Sequence, residues 1–464
     1  MFDILEFVLS KSPGYTEVRY HKREITEIIA RKGNLEEATT SLYNGVGIRV
    51  LLDGSWGFSS TSKVNKRSLE YVLGEAVTAA RLSAPRRTRK VKRLAVQEPA
   101  VGDFSFEIND PVTNHSFKEK LNLVLNIEKR ARNSSSLITS ASSGYCEIID
   151  EKYILTSSGT KAHILDAKPE FRLTCVARKG GILTSATQAV GVTGGWGDLF
   201  GKKSAFELCD RASKLAVDLL SAPYPEGKKA TVILDPDLVG TLAHEAIGHT
   251  CEADFVLSGS VANGKLNTQV ASPLVTLVDS GDSPHKPSAS GMVCVDDEGS
   301  PARKVVIIEN GILKSYLHNL ESSAIFGVEP TGNARAWEYD SEPIIRMRNT
   351  YIEPGDKTLE ELIDGVRDGF LLKGLEGGGQ ADANAEFMFG VREAYRIKNG
   401  KLGKLMRGVS ISGQAFEVLK SVDAVGKDFS WGLGAGHCGK GQPAKVDGGG
   451  PYLRCEVTIG GRRI

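Results

Sequence analysis

The stretch from residue 230 to residue 249 constrains the fold more than any other. Ala230–Leu234 is a β-type apolar run, and it ends at Asp235-Pro236, an acidic N-cap followed by a proline at the first helical position. Leu238, Leu242 and Ala246 then form one i, i+4 row, and Val239, Ala243 and Ile247 form the row beside it. That is an apolar stripe of helical period, so a strand should turn directly into a helix packed into a core. On this helix His244 and His249 stand five positions apart. At about 100° per residue an undistorted helix would point their rings roughly 140° apart and turn His249 into the apolar stripe. One extra residue absorbed as a π-bulge would bring the rings to within about 40° of each other. Gly248 tolerates local distortion, so a bulged or broken helix is expected between the two histidines.

The residue types are those of a metal site. His244-Glu245-Ala246-Ile247-Gly248-His249 resembles the zinc-protease signature HExxH with one residue added. Zinc takes imidazole or thiolate donors in a tetrahedron and, in catalytic sites, leaves one position open. It polarises a peptide carbonyl and acidifies water, and a neighbouring carboxylate takes the proton and returns it to the leaving amine. Glu245 suits that role. Two protein donors are too few, and the candidates for a third are Glu252 and Asp254 close by and the distant loop Gly436-His437-Cys438-Gly439-Lys440-Gly441. On chemistry alone Cys438, His437 and Glu252 stand nearly level, and a buried Cys438 would be inert. Gly434–Lys440 fits most of a phosphate-binding P-loop. Gly441 occupies the position that needs Ser or Thr, however, and Gln442-Pro443 starts a helix poorly. A cysteine hydrolase built on Cys438 and His437 is a further reading, disfavoured because neighbours in an extended strand point to opposite faces.

Around this region the pattern is mixed. Phe2–Leu9 reads as a short amphipathic helix. Strands are expected at Thr16–Tyr20, Glu24–Ala30, Gly47–Leu52 and Trp56–Ser60, with turns at Lys32-Gly33-Asn34, Tyr43-Asn44-Gly45 and Asp53-Gly54. Helices are expected at Lys66–Leu82, Phe117–Arg132 and Phe206–Leu220, and a strand meander at Leu137–Thr156, Lys161–Val176 and Ile182–Val190. The prolines and glycine of residues 221–227 suggest a domain boundary. Beyond it, after one helix, the chain is strand-rich, and the glycine clusters 377–379, 432–441 and 448–450 suggest tight turns. Strands grouped apart from helices argue for an α+β fold of two domains. Residues 1–222 would form a mixed N-terminal domain with a basic linker near 84–95. Residues 223–464 would form a strand-rich C-terminal domain whose mixed or antiparallel sheet carries the metal site.

Composition removes other classes. A formal net charge of +1 supplies no global field for nucleic acid or an anionic membrane. The basic run 86–93 lacks interleaved aromatics and reads as a solvated linker. No apolar run approaches the roughly 20 residues that span a bilayer. The seven cysteines are an odd number, widely spaced and without a CxxC pair, which fits reduced thiols and a cytoplasmic protein. Met1–Ser10 carries Asp3 and Glu6 and does not read as a signal peptide.

Residues 244–254, reading HEAIGHTCEAD, together with Cys438-Gly439-Lys440-Gly441-Gln442, resemble the TldD branch of the TldD/PmbA family. Segments 45–50, 54–58, 296–299 and 331–335 extend the similarity over nearly the whole chain. The resemblance implies a zinc metallopeptidase with one zinc ion per catalytic chain, held by His244, His249 and Cys438, and Glu245 as general base. It implies unfolded or extended peptides as substrates. It also implies a dimer, either of two copies or with a PmbA/TldE-type paralogue that lacks the metal motif. The alternative is a non-catalytic scaffold subunit of such a complex. Extended peptides usually add a strand to a sheet edge, and a strand-rich C-terminal half suits that mode. Asn333, Arg335 and His318 are candidate oxyanion stabilisers. No other cofactor is expected.

Overall fold

Long strands dominate the first half of the protein in the computed structural model, which describes residues 1–285, 288–381 and 384–461, with the backbone alone at 378–381. Helix α1 (Phe2–Lys11) precedes β1 (Tyr15–Arg31), β2 (Asn34–Leu52), β3 (Ser55–Thr61) and helix α2 (Lys66–Ser83). Then follow β4 (Val101–Ser105), α3 (Phe117–Asn133), β5 (Ile138–Thr156), β6 (Lys161–Lys179), β7 (Ile182–Gly191), α4 (Trp196–Phe200) and α5 (Ala205–Asp218). The strands form one seven-stranded sheet in the order β3-β2-β1-β5-β6, and β4 and β7 share the outer edge of β6.

Two expectations at this end are corrected. Thr16–Tyr20 and Glu24–Ala30 are one unbroken strand, β1, because β2 and β5 pair with it continuously on both sides. Tyr43-Asn44-Gly45 is not a turn but the middle of β2. Gly45 is there for space: a Cβ would overlap the Tyr339 ring and the Thr61 carbonyl. The turns at Lys32-Gly33 and Asp53-Gly54 are present, with φ of 50°, 82°, 53° and 77° in the left-handed region.

Helices cover one face of this sheet. The apolar faces of α1 and α2 lie on β1–β3, and α3 and α5 lie on β5–β7. Asn65, Ser116 and Ser204 cap α2, α3 and α5 with their side chains. The other face carries polar residues that are nonetheless buried, because the chain returns over it. Arg19 donates to the Glu338 and Ser341 carbonyls at 2.9 and 2.7 Å, and Arg49 donates to Glu298 at 2.6 Å. Arg23 grips Asp150 with two bonds of 2.7 Å. Burial disfavours ionised Asp150, but Arg23 and His21 outweigh it and hold its carboxyl well below its ordinary range.

The fold after residue 227 is strand-rich, and the whole is mixed α+β as expected. Strand β8 (Lys228–Leu234) runs parallel to Asp368–Ala381 and antiparallel to Leu453–Gly460 in a second seven-stranded sheet. A third, six-stranded sheet includes Leu277–Ser280, Asn349–Ile352 and Asp447–Gly450. Helix α6 (Pro236–Thr241) and its continuation pack between these two sheets. The cluster Gly448–Gly450 is thus a strand and not a turn. Its glycines admit the helix, since a Cβ on Gly448 would overlap the Gly240 carbonyl and one on Gly450 the Val239 side chain.

One buried ion pair locks the third sheet. Arg348 Nε donates to Asp279 Oδ2 at 2.8 Å, and both side chains are fully buried. Asn333 and Thr350 also donate to Asp279. Asp279→Ala would leave the guanidinium uncompensated at a cost of about 3–5 kcal/mol. A fall in unfolding free energy of that size, read from denaturant titration followed by fluorescence, is the expected result.

Candidate metal centre

The centre begins where β8 ends. Asp235 accepts a bond from Leu238 N–H at 3.1 Å, and Pro236 opens the helix. From Leu242 to Gly248 the backbone winds as a π-helix, and His249 N–H donates to the His244 carbonyl five residues back. The apolar stripe at 238, 239, 242, 243, 246 and 247 stays in the core. The distortion expected from the spacing is therefore present, and it keeps His249 out of the stripe. Gly248 serves it differently from the expectation. Its φ of −55° is ordinary, but a Cβ there would overlap Met347 Sδ. The glycine supplies room, not conformational freedom.

The two rings stand edge to face with centroids 5.3 Å apart. Cys438 reaches them from a distant hairpin, His437–Gly439 paired with Pro443–Lys445. One donor atom from each of His244, His249 and Cys438 lies within 4.8 Å of the other two, and Cys438 Sγ is 3.2 Å from His249 Nε2. Glu245, half-buried, stands at the edge of the cluster with Oε2 3.8 Å from His249 Nε2. His437, on the neighbouring face of its strand, is exposed and meets the Trp337 ring instead. That separation weakens the Cys438–His437 hydrolase reading. No helix follows Lys440 among the described residues, which weakens the P-loop reading as well.

The donor set fits zinc. Both ring nitrogens of His244 are buried without a hydrogen-bond partner, which is costly for a polar group unless something else engages it. Burial alone would push the Cys438 thiol up, but the two imidazoles beside it prevail and bring it down to about 4. The thiolate is the form that ligates zinc. Burial likewise opposes protonation of His249, and Cys438 with Glu252 reverses it to about 10.

Several supporting residues were not foreseen in these roles. Glu252 lies behind His249, with Oε2 3.2 Å from Nδ1 and Lys440 Nζ 2.9 Å away. It orients the imidazole from the rear, and its i, i+3 spacing from His249 was a legible hint. Lys440 also donates to Asp254 at 2.6 Å and to the Ile345 carbonyl at 3.0 Å. Arg346, fully buried, donates to the Cys438 and Gln442 carbonyls at 2.6 Å each and holds the hairpin. No local signal marks Arg346. Carboxylates behind a ligating histidine typically contribute about 10–100-fold in metal affinity. Glu252→Ala should therefore weaken zinc binding by that factor in competition with a chromophoric chelator, and an unchanged affinity would remove the orienting role.

The candidate oxyanion residues are tied into the scaffold. Asn333 donates to Asp279 and to the Arg346 carbonyl at 2.9 Å each, Arg335 donates to the Met347 carbonyl at 2.8 Å, and His318 Nδ1 lies 3.1 Å from Ser322 Oγ. Burial lowers His318 to about 4. Among the described contacts none joins these three to the cluster.

Three family models match the chain. They are the PmbA/TldA metallopeptidase domain 1 over residues 16–80, the central domain over 110–220 and the C-terminal domain over 227–461. A metalloprotease of Methanocaldococcus jannaschii is 35% identical, with 96% of each chain covered. A zinc metalloprotease TldD homolog of Saccharolobus solfataricus is 29% identical over 99% of this chain and 100% of its own. Among solved structures, TldE from Thermococcus kodakarensis superposes with a TM-score of 0.77 at 20% identity, covering 99% of each chain. A Thermotoga maritima protein described as a candidate modulator of a DNA gyrase gives 0.79 at 21% identity, covering 99% of this chain and 100% of its own. At those identities the structural likeness speaks to the fold alone.

Proposed function

The chain belongs to the PmbA/TldA metallopeptidase family, and on that premise we propose that it hydrolyses peptide bonds in unfolded or extended peptides at a zinc centre. His244, His249 and Cys438 hold the ion, one per chain, and Glu245 is the general base. The observation that carries this reading is the convergence of three donor atoms within 4.8 Å beside a partly exposed carboxylate. The name of the Saccharolobus relative supports zinc over other metals. When bound, zinc supplies a Lewis acid that polarises a peptide carbonyl and acidifies water. Glu245 takes the proton of the attacking water and hands it to the leaving amine. Glu252 and Lys440 fix the His249 ring, and Arg346 fixes the backbone that carries Cys438. The substrate lies extended along a sheet edge, read through its backbone more than its side chains.

Residues 1–222 and 223–464 act as two units in this reading. A single sheet draws strands from both the first and second matched segments, which supports taking them together. The chain works as a dimer, with a second copy or with a TldE-type paralogue, a pairing suggested by the Thermococcus neighbour. Seven free cysteines support a reducing, cytoplasmic setting. No helix among the described residues is long and apolar enough to cross a membrane.

The test is metal dependence. The purified chain should hold about one zinc, the stoichiometry of a single catalytic site. Dialysis against a chelator should abolish cleavage of an unfolded peptide, and added zinc should restore it. Cleavage that survives complete removal of metal would end the proposal.

A further inference from the structure

A groove of about 700 Å³ opens where the end of α2 faces the segments around 254–257, 319–325 and 342–345. Its walls mix polar and apolar residues and carry Leu82, 68% exposed, and Ile325, 45% exposed. The carboxylates that line it are all engaged. Glu321 accepts from Arg87 at 2.6 Å and from the Trp56 indole at 2.9 Å, Glu342 accepts from Arg49 at 3.0 Å, and Asp254 accepts from Lys440 at 2.6 Å. Of its cations, Arg49 and Arg87 are taken up in those pairs and Arg86 is not. Arg86 lines the groove, and Arg89, Lys90, Lys92 and Arg93 follow it along the chain. All five are exposed, and none has a carboxylate partner among the described residues. The basic run first read as a solvated linker therefore begins in the wall of a cleft whose own acids are paired, and its exposed cations are uncompensated.

The groove also adjoins the candidate centre. Asp254 in its wall binds Lys440, Lys440 binds Glu252, and Glu252 contacts His249. The Phe255 ring, under the Lys440 ammonium at 4.2 Å, lies 6.3 Å from the His249 ring.

We infer that this groove takes an acidic, extended stretch of the peptide substrate, with aliphatic side chains on Leu82 and Ile325 and carboxylates toward Arg86 and the run that follows it. The inference rests on the peptidase reading for the identity of the ligand. Complementary charge raises the rate of encounter and fixes register, and an alternating acidic and aliphatic segment presents both features on one strand. A nucleic acid fits less well. Trp56, the aromatic ring in the groove lining, is buried beneath Arg49 at 3.8 Å and offers bases no platform. The acidic stretch lies away from the scissile bond, so tolerance of sequence at the centre and preference in the groove coexist.

The test reads binding apart from cleavage. Fluorescence anisotropy of a labelled peptide alternating Glu and Leu is compared with one alternating Lys and Leu, on the full chain with its metal removed. The acidic peptide should bind at least about tenfold more tightly, and its affinity should fall as salt is raised. Combined Arg86→Glu, Lys90→Glu and Lys92→Glu, all exposed positions, should erase that preference. With metal restored, the same variant should raise KM for a substrate with an acidic tail and leave cleavage of a short neutral peptide unchanged. Equal binding of the two peptides, or a preference that survives the triple reversal, overturns the inference. So does displacement of the acidic peptide by an equal concentration of duplex DNA, or by self-association of the chain through this face. Loss of hydrolysis with the binding preference intact would instead count against the metal centre.

Discussion

Glu245→Gln should retain zinc and lose peptide hydrolysis by about 10²–10⁴-fold, the usual contribution of a positioned general base. The amide preserves the size of the side chain. Glu245 is partly exposed at the edge of the cluster and has no described role in the core, so folding should survive. The carboxylate's place 3.8 Å from His249 Nε2, outside the tight contact of the three donors, suits a group that handles protons and leaves ligation to others. Metal content by atomic emission and turnover by mass spectrometry of products separate the two roles. A variant that loses metal along with activity would make Glu245 a ligand. A variant that keeps both would remove Glu245 from the chemistry.

Cys438→Ala should abolish stable zinc binding and, with it, activity. Structural zinc sites are held by about 10–16 kcal/mol across four ligands, so one thiolate represents about 3 kcal/mol or more, roughly a hundredfold or more in affinity. Two imidazoles alone would remain, edge to face on the π-helix. Cys438→Ser should fare little better, because a hydroxyl does not ionise where the thiol is drawn down to about 4. The hairpin itself should persist in both variants, since Arg346 holds it through main-chain carbonyls. Zinc retained at wild-type affinity in Cys438→Ala would point to another donor. Glu252 would be the first to examine, although it is turned toward His249 Nδ1 and Lys440.

Much of the local structure was legible in the residues. The helix after Asp235 declared itself through its cap, its proline and its two apolar rows. Its distortion declared itself through a contradiction, since no regular helix could serve the stripe and both histidines. Gly45, Gly248 and Gly448 misled because tight packing, and not a turn or conformational freedom, was their reason. Gly45 yields to Tyr339, Gly240 and Gly448 yield to each other, and Gly248 yields to Met347, partners remote in sequence in each case. The polar face of β1 was equally opaque. Glu17, Arg19 and His21 alternate with Val18 and Tyr20 as if facing solvent, yet the returning chain buries them.

The sequence by itself determined the strand-to-helix turn at Asp235, the apolar stripe and the need for one extra residue's worth of winding between the histidines. Those depend on backbone period and on near neighbours, which a linear pattern records in full. Only the tertiary structure decided which remote group meets the two rings. Chemistry alone ranked Cys438, His437 and Glu252 together, and their positions follow from a hairpin pinned by Arg346 and a salt bridge made by Lys440. Cys438 is 189 residues from His249 along the chain, and no local periodicity reaches that far. Its approach is set by sheet pairing and buried hydrogen bonds, whose partners are chosen only when the whole chain has closed.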